Sequence, residues 1–164
     1  MGWANPPIRL FHGTIERFAS DIVAGGTQVR LGRARTDFGR GFYTTTDVRR
    51  ARDWAVELVR RRYRREQPRV VRFEIGRDAL AMLDSPIFVN GHAGALDYWE
   101  FVRHCREGAG DHARGPNRCY YDVVAGPVAA SWRQRLIFQG VDQFSFHTRA
   151  GEDLLNASPR TILR

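Results

Sequence analysis

Residues 37–55 read DFGRGFYTTTDVRRARDWA, and the predicted secondary structure changes within this stretch. Residues 42–46 are a run of aromatic and β-branched residues, which favours a strand because such side chains pack well on a pleated surface. Asp47 offers an N-cap oxygen, and apolar residues then recur with helical spacing at 48, 51, 55, 58 and 59. The stretch therefore predicts a glycine loop, a strand that carries an exposed Tyr43, and a helix from residue 48 to about residue 65.

The composition is that of one folded domain spanning residues 1–164. Apolar residues make up 43% of the chain and aromatic residues 12%, which is enough for a hydrophobic core. No apolar run approaches the roughly 20 residues that a membrane-spanning helix needs. The first eleven residues lack the charged start and apolar segment of a signal peptide. We therefore expect a cytoplasmic protein that makes no membrane contact.

The chain is strongly basic, with a formal net charge of +8, and all of its basic residues other than histidine are arginines. Arginine presents a planar fork of donors that suits phosphates and stacked bases. A polyanionic partner is one interpretation of this charge: a nucleic acid, a dinucleotide or an acidic protein. Codon bias combined with solubility is the other, and charge alone does not separate them.

Cysteine and histidine are too sparse to predict a disulfide framework or a metal site. Cys105 and Cys119 are the two cysteines, and we expect free thiols. Together with His104 and His112 they match none of the usual zinc spacings. We therefore predict no metal.

Strand and helix patterns alternate irregularly along the chain. Apolar or alternating strands are predicted at 8–11, 70–75, 120–125 and 142–148, an edge strand at 161–163, and a second clear helix at 94–106. Gly126-Pro127 is expected to end the strand at 120–125, which is the fourth when the strand at 42–46 is included. No strand is followed by the glycine fingerprint of a dinucleotide-binding Rossmann unit. The predicted fold class is α+β, with a mixed or mostly antiparallel sheet and flanking helices.

Two further positions are candidates for a functional cleft. His12-Gly13-Thr14 follows the first strand, where Gly13 would leave bare backbone open to a ligand. In the strand at 142–148, Phe144 and Phe146 share one face, and Gln143 is turned towards the opposite surface. Asp142 is the alternative residue to reach a cleft there, although strand alternation favours Gln143.

These segments together resemble the ADP-ribosyltransferase superfamily, on the His–Tyr–Glu branch that contains poly(ADP-ribose) polymerases and diphtheria-type toxins. Within it, the chain resembles a small, mostly bacterial domain-of-unknown-function family. The resemblance is carried by FHGT (11–14), the 37–55 stretch, YYDVVAGPVA (120–129) and DQFSFHT (142–148). It implies a split β-sheet core with flanking helices, and NAD as co-substrate.

The resemblance also implies roles for individual residues. Tyr43 would stack on the nicotinamide ring, His12 would bond a ribose hydroxyl, and the Gly13 backbone would hold the carboxamide. The remaining NAD-binding candidates are Thr14, Arg35, Phe38, Gly39, Arg40 and Phe42. The catalytic set implied is Gln143, Tyr43 and His12.

The chain departs from the superfamily pattern where a glutamate is expected, because it has Gln143 there. A glutamine carbonyl accepts a hydrogen bond from the ribose 2′-hydroxyl but supplies neither a negative charge nor a general base. Chain extension into poly(ADP-ribose) is therefore not expected, and Gln143→Glu is expected to preserve or raise NAD cleavage. Transfer of a single ADP-ribose unit, or NAD hydrolysis, remains open.

The resulting hypothesis is a mono-ADP-ribosyltransferase that modifies a macromolecular acceptor, either nucleic acid or protein. The resemblance implies a bacterial toxin or an effector delivered to a target cell, made beside a neutralising antitoxin. The acceptor would be selected by the loops at 25–36 and 107–118. Two alternatives stay open: a non-catalytic module that binds NAD or ADP-ribose, and a basic nucleic-acid-binding domain.

Overall fold

The structure, a computed structural model, describes residues 5–89, 95–114 and 119–163. Six strands lie in these ranges: β1 (Ile8–Ile15), β2 (Phe42–Thr44), β3 (Pro68–Ile75), β4 (Val123–Ser131), β5 (Leu136–Phe146) and β6 (Arg160–Leu163). Five α-helices accompany them: α1 (Glu16–Gly25), α2 (Val48–Arg62), α3 (Arg77–Ala81), α4 (Ala95–Arg106) and α5 (Arg149–Ala157). A short 3-10 turn covers Val29–Leu31. The mixture confirms the predicted α+β class.

The chain divides into two compact units, each with its own three-stranded sheet. Unit 1 consists of residues 5–27, 44–82 and 153–163, and its sheet has the order β1-β3-β6. Strand β3 pairs antiparallel with both neighbours, with His12 opposite Val71 and Val71 opposite Ile162. The predicted edge strand near the C-terminus is confirmed as β6.

Helix α2 of unit 1 begins where the sequence pattern placed its start. The Asp47 side chain accepts hydrogen bonds from the backbone N–H groups of Arg49 and Arg50, at 2.8 and 3.4 Å, and so caps the helix. Ala51 and Ala55 are its buried residues. It ends at Arg62, three residues before the predicted end.

Unit 2 consists of residues 28–43, 83–89, 95–114 and 119–152, and its sheet has the order β2-β5-β4. Strands β4 and β5 pair antiparallel, with Gly126 opposite Gln143 and Pro127 opposite Asp142. An aromatic core packs here, with buried Phe38, Tyr98 and Val124 at its centre. In the described part of the chain, no helix is both long enough and apolar enough to cross a bilayer.

The prediction that Gly126-Pro127 ends the fourth strand is wrong. β4 continues through both residues to Ser131, and its register against β5 shifts after Pro127. Proline is tolerated because β4 lies at the edge of the sheet and the nitrogen of residue 127, like that of Ala125, faces away from β5, so no β4–β5 hydrogen bond is lost.

The connection between β4 and β5 is short. Residues 132–135 form a turn, and β5 begins directly afterwards at Leu136. Arg135 adopts a φ of 54° in this turn. The predicted loop at 107–118 contains no helix among its described residues. The predicted start of the second helix at residue 94 lies outside the described residues, and α4 runs from Ala95.

Candidate functional site

The loop at 36–41 in unit 2 is held by side chains that bond three successive backbone carbonyls. The carbonyl oxygen of Phe38 lies 2.9 Å from the Nε2 atom of His112. Gly39 O accepts from the Tyr43 hydroxyl at 2.8 Å. The next carbonyl, that of Arg40, lies 2.8 Å from the Nδ1 of His147. Three rings from three different segments of the chain therefore fix the path of this loop.

Tyr43 is anchored to the loop through its hydroxyl oxygen. In addition to bonding Gly39 O, that oxygen accepts from the Phe38 N–H at 3.0 Å and lies 2.7 Å from the Thr36 hydroxyl. Burial of the hydroxyl raises the pKa of Tyr43 well above its usual value, so the phenol stays neutral. The ring meets His147 edge-on, with centroids 6.4 Å apart. Tyr43 is half-buried rather than exposed as predicted, and its ring is held in one orientation.

Asp37 places a carboxylate in the interior, where only 3% of the residue is exposed. Its Oδ1 accepts from the Nε and Nη2 atoms of Arg106, at 2.9 and 2.5 Å. Its Oδ2 accepts from the backbone N–H of Ala129 at 2.8 Å and from Nε2 of Gln143 at 2.7 Å. Both oxygens thus have donors, which is the condition under which a buried charge is tolerated.

Gln143 is buried, with 7% of its surface exposed, and both of its amide hydrogens are used. Nε2 donates to Asp37 and, at 2.9 Å, to the carbonyl oxygen of Pro127. Since both partners are pure acceptors, the orientation of the amide is set by chemistry. The Oε1 atom accepts no hydrogen bond from any residue that the structure describes. The same Pro127 oxygen also accepts from the Tyr98 hydroxyl at 3.0 Å.

The face of β5 that carries Gln143 is not the open surface that strand alternation suggested. Ser145 and His147 follow Gln143 on this face, and both are buried. The loop at 36–41 covers it by contacting Gln143 and His147. Asp142, the alternative candidate, is half-buried.

His112 and His147 form a neutral pair with rings 4.5 Å apart. The Nδ1 of His112 accepts from the Tyr121 N–H at 3.0 Å, which leaves Nε2 as the donor to the loop. For His147 the roles are reversed, since Nδ1 faces a carbonyl and Nε2 lies 2.7 Å from the Ser145 hydroxyl. Burial lowers the pKa of His112 to about 4 and that of His147 to about 3.

Gly41 shows how closely the loop approaches this pair. A Cβ added there would lie 2.7 Å from both the His147 Nδ1 and the Phe146 carbonyl oxygen. A side chain at this position would push the loop away from β5. Gly41 is therefore required by the close approach of two backbones.

The other predicted NAD-binding residues of unit 2 occupy two environments. Phe38 is fully buried in the aromatic core, and Phe42 is 9% exposed. Phe38 therefore supports the loop from beneath, and its ring is not available to line a pocket. Arg35 and Arg40 are exposed, and Arg40 donates to the Arg30 carbonyl at 3.2 Å.

The remaining predicted residues, His12, Gly13 and Thr14, belong to unit 1, where they lie inside β1 rather than after it. His12 is half-buried and Thr14 is buried. A Cβ on Gly13 would come within 2.0 Å of the Ala51 backbone oxygen, so α2 covers this face of the residue. The expectation of bare backbone open to a ligand on that face is wrong, because the close packing of α2 on β1 occupies the space. A pocket shared by His12 and Tyr43 stays a prediction.

The described residues contain no group of three histidine, cysteine or acidic side chains placed to hold a metal. Cys105 and Cys119 are free, the first buried and the second exposed. Burial raises the pKa of the Cys105 thiol to about 12, so it is protonated at neutral pH.

Sequence reasoning missed Asp37 and Arg106 as members of the site, and it considered His112 only as a metal ligand. An aspartate inside an apolar and aromatic stretch was the available signal for Asp37, because such a residue is rarely buried without a partner. Its partners lie 69, 92 and 106 positions away, and nothing local identifies them.

A comparison with curated proteins gave no significant match. A family model described as "Protein of unknown function (DUF3990)" matches residues 8–156, a range that contains every candidate-site residue discussed above and extends into both units. The chain belongs to this family, DUF3990.

Proposed function

We propose that the protein is a mono-ADP-ribosyltransferase that cleaves NAD at the nicotinamide–ribose bond and transfers ADP-ribose to a macromolecular acceptor. The observation that carries the proposal is that one loop, 36–41, fixes both Tyr43 and Gln143. Catalysis by positioning requires reacting groups held within narrow limits. The resemblance of the sequence to ADP-ribosyltransferases assigns the chemistry to these same two residues.

Tyr43 is suited to bind the nicotinamide end of NAD. The oxidised nicotinamide ring is cationic, and an electron-rich aromatic ring attracts a cation placed over it. Because its hydroxyl makes several hydrogen bonds to the loop, the Tyr43 ring loses little further freedom when a ligand binds. The neutral phenol keeps these bonds across the physiological pH range.

Gln143 is suited to orient the ribose. Its Oε1 accepts no hydrogen bond from the described residues, so a ribose hydroxyl that reaches it would displace no protein donor. Its N–H group donates to the Asp37 carboxylate, and such a charge-assisted bond increases the negative partial charge on the amide oxygen. The developing oxocarbenium-like sugar would therefore meet a more polar acceptor than an isolated glutamine provides.

The roles of the remaining residues rest on the resemblance alone. His12 would bond a ribose hydroxyl, and the backbone of Gly13 would hold the carboxamide. Arg35 and Arg40 are exposed cations suited to the pyrophosphate. A single transfer is proposed rather than polymer formation because Gln143 does not ionise. A cytoplasmic toxin or delivered effector with a neutralising partner completes the proposal.

A second candidate, a module that binds NAD or ADP-ribose without cleaving it, is favoured by one observation. The Asp37 charge, the nearest to the Gln143 amide, is already paired with Arg106. The site would then lack a free negative charge to stabilise the oxocarbenium ion, so NAD would bind without being cleaved.

The test is release of nicotinamide from NAD and retention of labelled ADP-ribose on DNA, RNA or proteins of a cell lysate. Wild type is expected to release nicotinamide, and Gln143→Ala is expected to release it about 100-fold more slowly. Gln139→Ala is the matched control, since Gln139 is exposed on the same strand and its loss is expected to change nothing.

Two Tyr43 variants separate the stacking of its ring on nicotinamide from the hydrogen bonds that its hydroxyl makes to the loop. Tyr43→Phe keeps the ring and loses the hydroxyl, whereas Tyr43→Leu loses both. We expect NAD to bind Tyr43→Phe about threefold more weakly than wild type, because the ring remains but its anchoring hydrogen bonds are lost. We expect Tyr43→Leu to bind at least tenfold more weakly, because the ring is lost as well. Folding of both variants is checked by circular dichroism. NAD binding without nicotinamide release would support the second candidate, and no NAD binding by folded wild type would refute both.

A further inference from the structure

Unit 2 contains a cleft of about 250 Å³ that the site described above does not use. It lies between α4 and the turn that joins β4 to β5. Two tryptophans, three arginines and one glutamate line it: Trp99, Glu100, Arg103, Trp132, Arg133 and Arg135. Neither Tyr43 nor Gln143 is among them, so its ligand is distinct from the nicotinamide end of NAD.

The arginines of this cleft carry charge that the rest of the described chain does not neutralise. Arg103, Arg133 and Arg135 are exposed, and none of them has a hydrogen bond or ion pair with a described residue. The guanidinium carbon of Arg133 lies 5.2 Å from the centre of the Trp132 ring. With Glu100 counted, the lining has two positive charges in excess, which favours an anionic ligand.

The two tryptophans are held by the core rather than extended into solvent. Both pack against the aromatic cluster of unit 2. The Trp99 ring meets Tyr98 at a centroid distance of 4.7 Å and an angle of 69°. Because they are held in place and only half-buried, these rings can offer a surface to a planar ligand at little cost in side-chain entropy.

We propose that this cleft binds an unpaired nucleotide of a single-stranded nucleic acid, with the base on a tryptophan and the phosphates at the arginines. Proteins bind single-stranded nucleic acids with aromatic side chains and positively charged side chains. Every base can stack on an aromatic ring, and every phosphodiester linkage carries a negative charge that an arginine can bind. An acidic peptide would use the arginines and leave the tryptophans without a role. Duplex DNA would not present its bases to the rings.

The cleft is linked to Gln143 through one carbonyl group. Tyr98, which supports Trp99, donates to the same Pro127 oxygen as Gln143 does. The role of the cleft in holding an acceptor strand for modification rests on the proposed transferase function. Its ability to bind a strand does not depend on that function, and binding is therefore tested without NAD.

The experiment is fluorescence anisotropy of the intact protein with labelled 12-nucleotide strands of DNA and of RNA, and with the DNA duplex of the same sequence. At least one single strand is expected to bind at least tenfold more tightly than the duplex. The DNA and RNA arms decide which sugar is preferred. Affinity is expected to fall as salt rises, because phosphate contacts release counterions.

Two charge-reversal variants give a matched comparison. The triple variant Arg103→Glu, Arg133→Glu, Arg135→Glu is expected to weaken single-strand binding at least tenfold. The control Arg62→Glu, Arg64→Glu, Arg65→Glu changes the net charge equally on exposed arginines of unit 1. It is expected to weaken binding no more than about threefold.

A tryptophan substitution separates stacking from charge. Trp132→Phe is expected to retain most of the affinity, and Trp132→Ala to lose about tenfold. Thermal unfolding of both variants confirms that they are folded.

Three outcomes would overturn the inference: equal affinity for duplex and single strand, equal losses in the two triple variants, or displacement of the strand by a poly-glutamate peptide as effectively as by an unlabelled strand. Failure of nicotinamide release would leave a positive binding result standing. Failure of strand binding would leave the proposed NAD chemistry standing.

Discussion

Two polar clusters hold the 36–41 loop, and they differ in charge. Around Asp37, a carboxylate is held in the interior by the Arg106 guanidinium and two neutral donors. Around His112 and His147, two groups that would be partly charged in water are kept neutral, each with one nitrogen donating and the other accepting.

This difference in charge predicts which change destabilises each cluster. The Asp37 cluster depends on its partners, because removal of one donor leaves a buried acceptor or charge unsatisfied. The histidine cluster depends on pH, because protonation leaves no nitrogen able to accept a hydrogen bond. Substitution of its partners should therefore test the Asp37 cluster, and lowering the pH should test the histidine cluster.

The largest expected effect is the loss of stability in mild acid. The pKa of each histidine is about 6.5 in the unfolded chain and about 3 to 4 in the folded protein, so between these values the unfolded chain binds more protons. Stability then falls as the pH is lowered. Between pH 7 and pH 5 we expect the two histidines together to remove about 4 kcal/mol from the free energy of unfolding.

Urea denaturation at pH 7, 6 and 5 measures this loss. In His147→Gln the fall between pH 7 and pH 5 is expected to be about half as large as in wild type. Equal stability of wild type at pH 7 and pH 5 would contradict the neutral, buried state of the pair.

The next effect is expected from Arg106→Ala, which removes the cation from Asp37. The expected loss is about 3 kcal/mol, at the low end for a buried pair because 31% of the Arg106 side chain is exposed. Arg103→Ala, on the exposed side of the same helix, should cost about 0.5 kcal/mol or less. Adding Asp37→Asn to Arg106→Ala is expected to recover part of the loss, and no recovery would argue against an orphaned charge.

The smallest effect is expected from Gln143→Glu. The new carboxylate would replace a donor that lies 2.7 Å from Asp37 and 2.9 Å from the Pro127 carbonyl oxygen. We expect a loss of about 2 kcal/mol at pH 7, since two buried acceptors lose their donor. These lost hydrogen bonds count against the expectation that Gln143→Glu preserves or raises NAD cleavage, which stays a prediction.

The pH dependence of this variant should be opposite to that of the histidine pair. A carboxyl beside Asp37 binds its proton more tightly in the folded state than in the unfolded chain. Its penalty is therefore present at neutral pH and diminishes as the pH falls through the raised value. Gln139→Glu, exposed on the same strand, is the control, and identical pH profiles for the two variants would exclude this explanation.

Local patterns predicted the parts of the fold that local interactions determine. The start of α2 follows from the change of period at Asp47, whose side chain caps the helix within three residues. β3 was recognised because Val71, Phe73 and Ile75 alternate along it, and all three are buried.

The candidate site was only partly predictable, because distant segments determine it. Tyr43 and Gln143 were identified by pattern and resemblance, but the role of Asp37 depends on donors from α4, β4 and β5. The burial of the second face of β5 was not predictable from strand alternation, which assigns sides without stating what covers them. Gly126-Pro127 was interpreted as the end of a strand because proline interrupts a central strand. That β4 lies at the edge, where proline is tolerated, depends on the whole sheet and cannot be read from the local sequence.

That edge has a consequence for behaviour at high concentration. Along the outer side of β4, the N–H groups of Val123 and Ala125 bond the carbonyls of Asp84 and Pro86, Pro127 has no N–H, and that of Ala129 bonds Asp37. A free strand from another molecule finds no row of donors to pair with, which is how proteins protect sheet edges from aggregation. The Asp37 carboxylate that orders Gln143 thus also occupies one of these edge donors, and loss of Asp37 is expected to leave the Ala129 N–H open to a strand from another molecule.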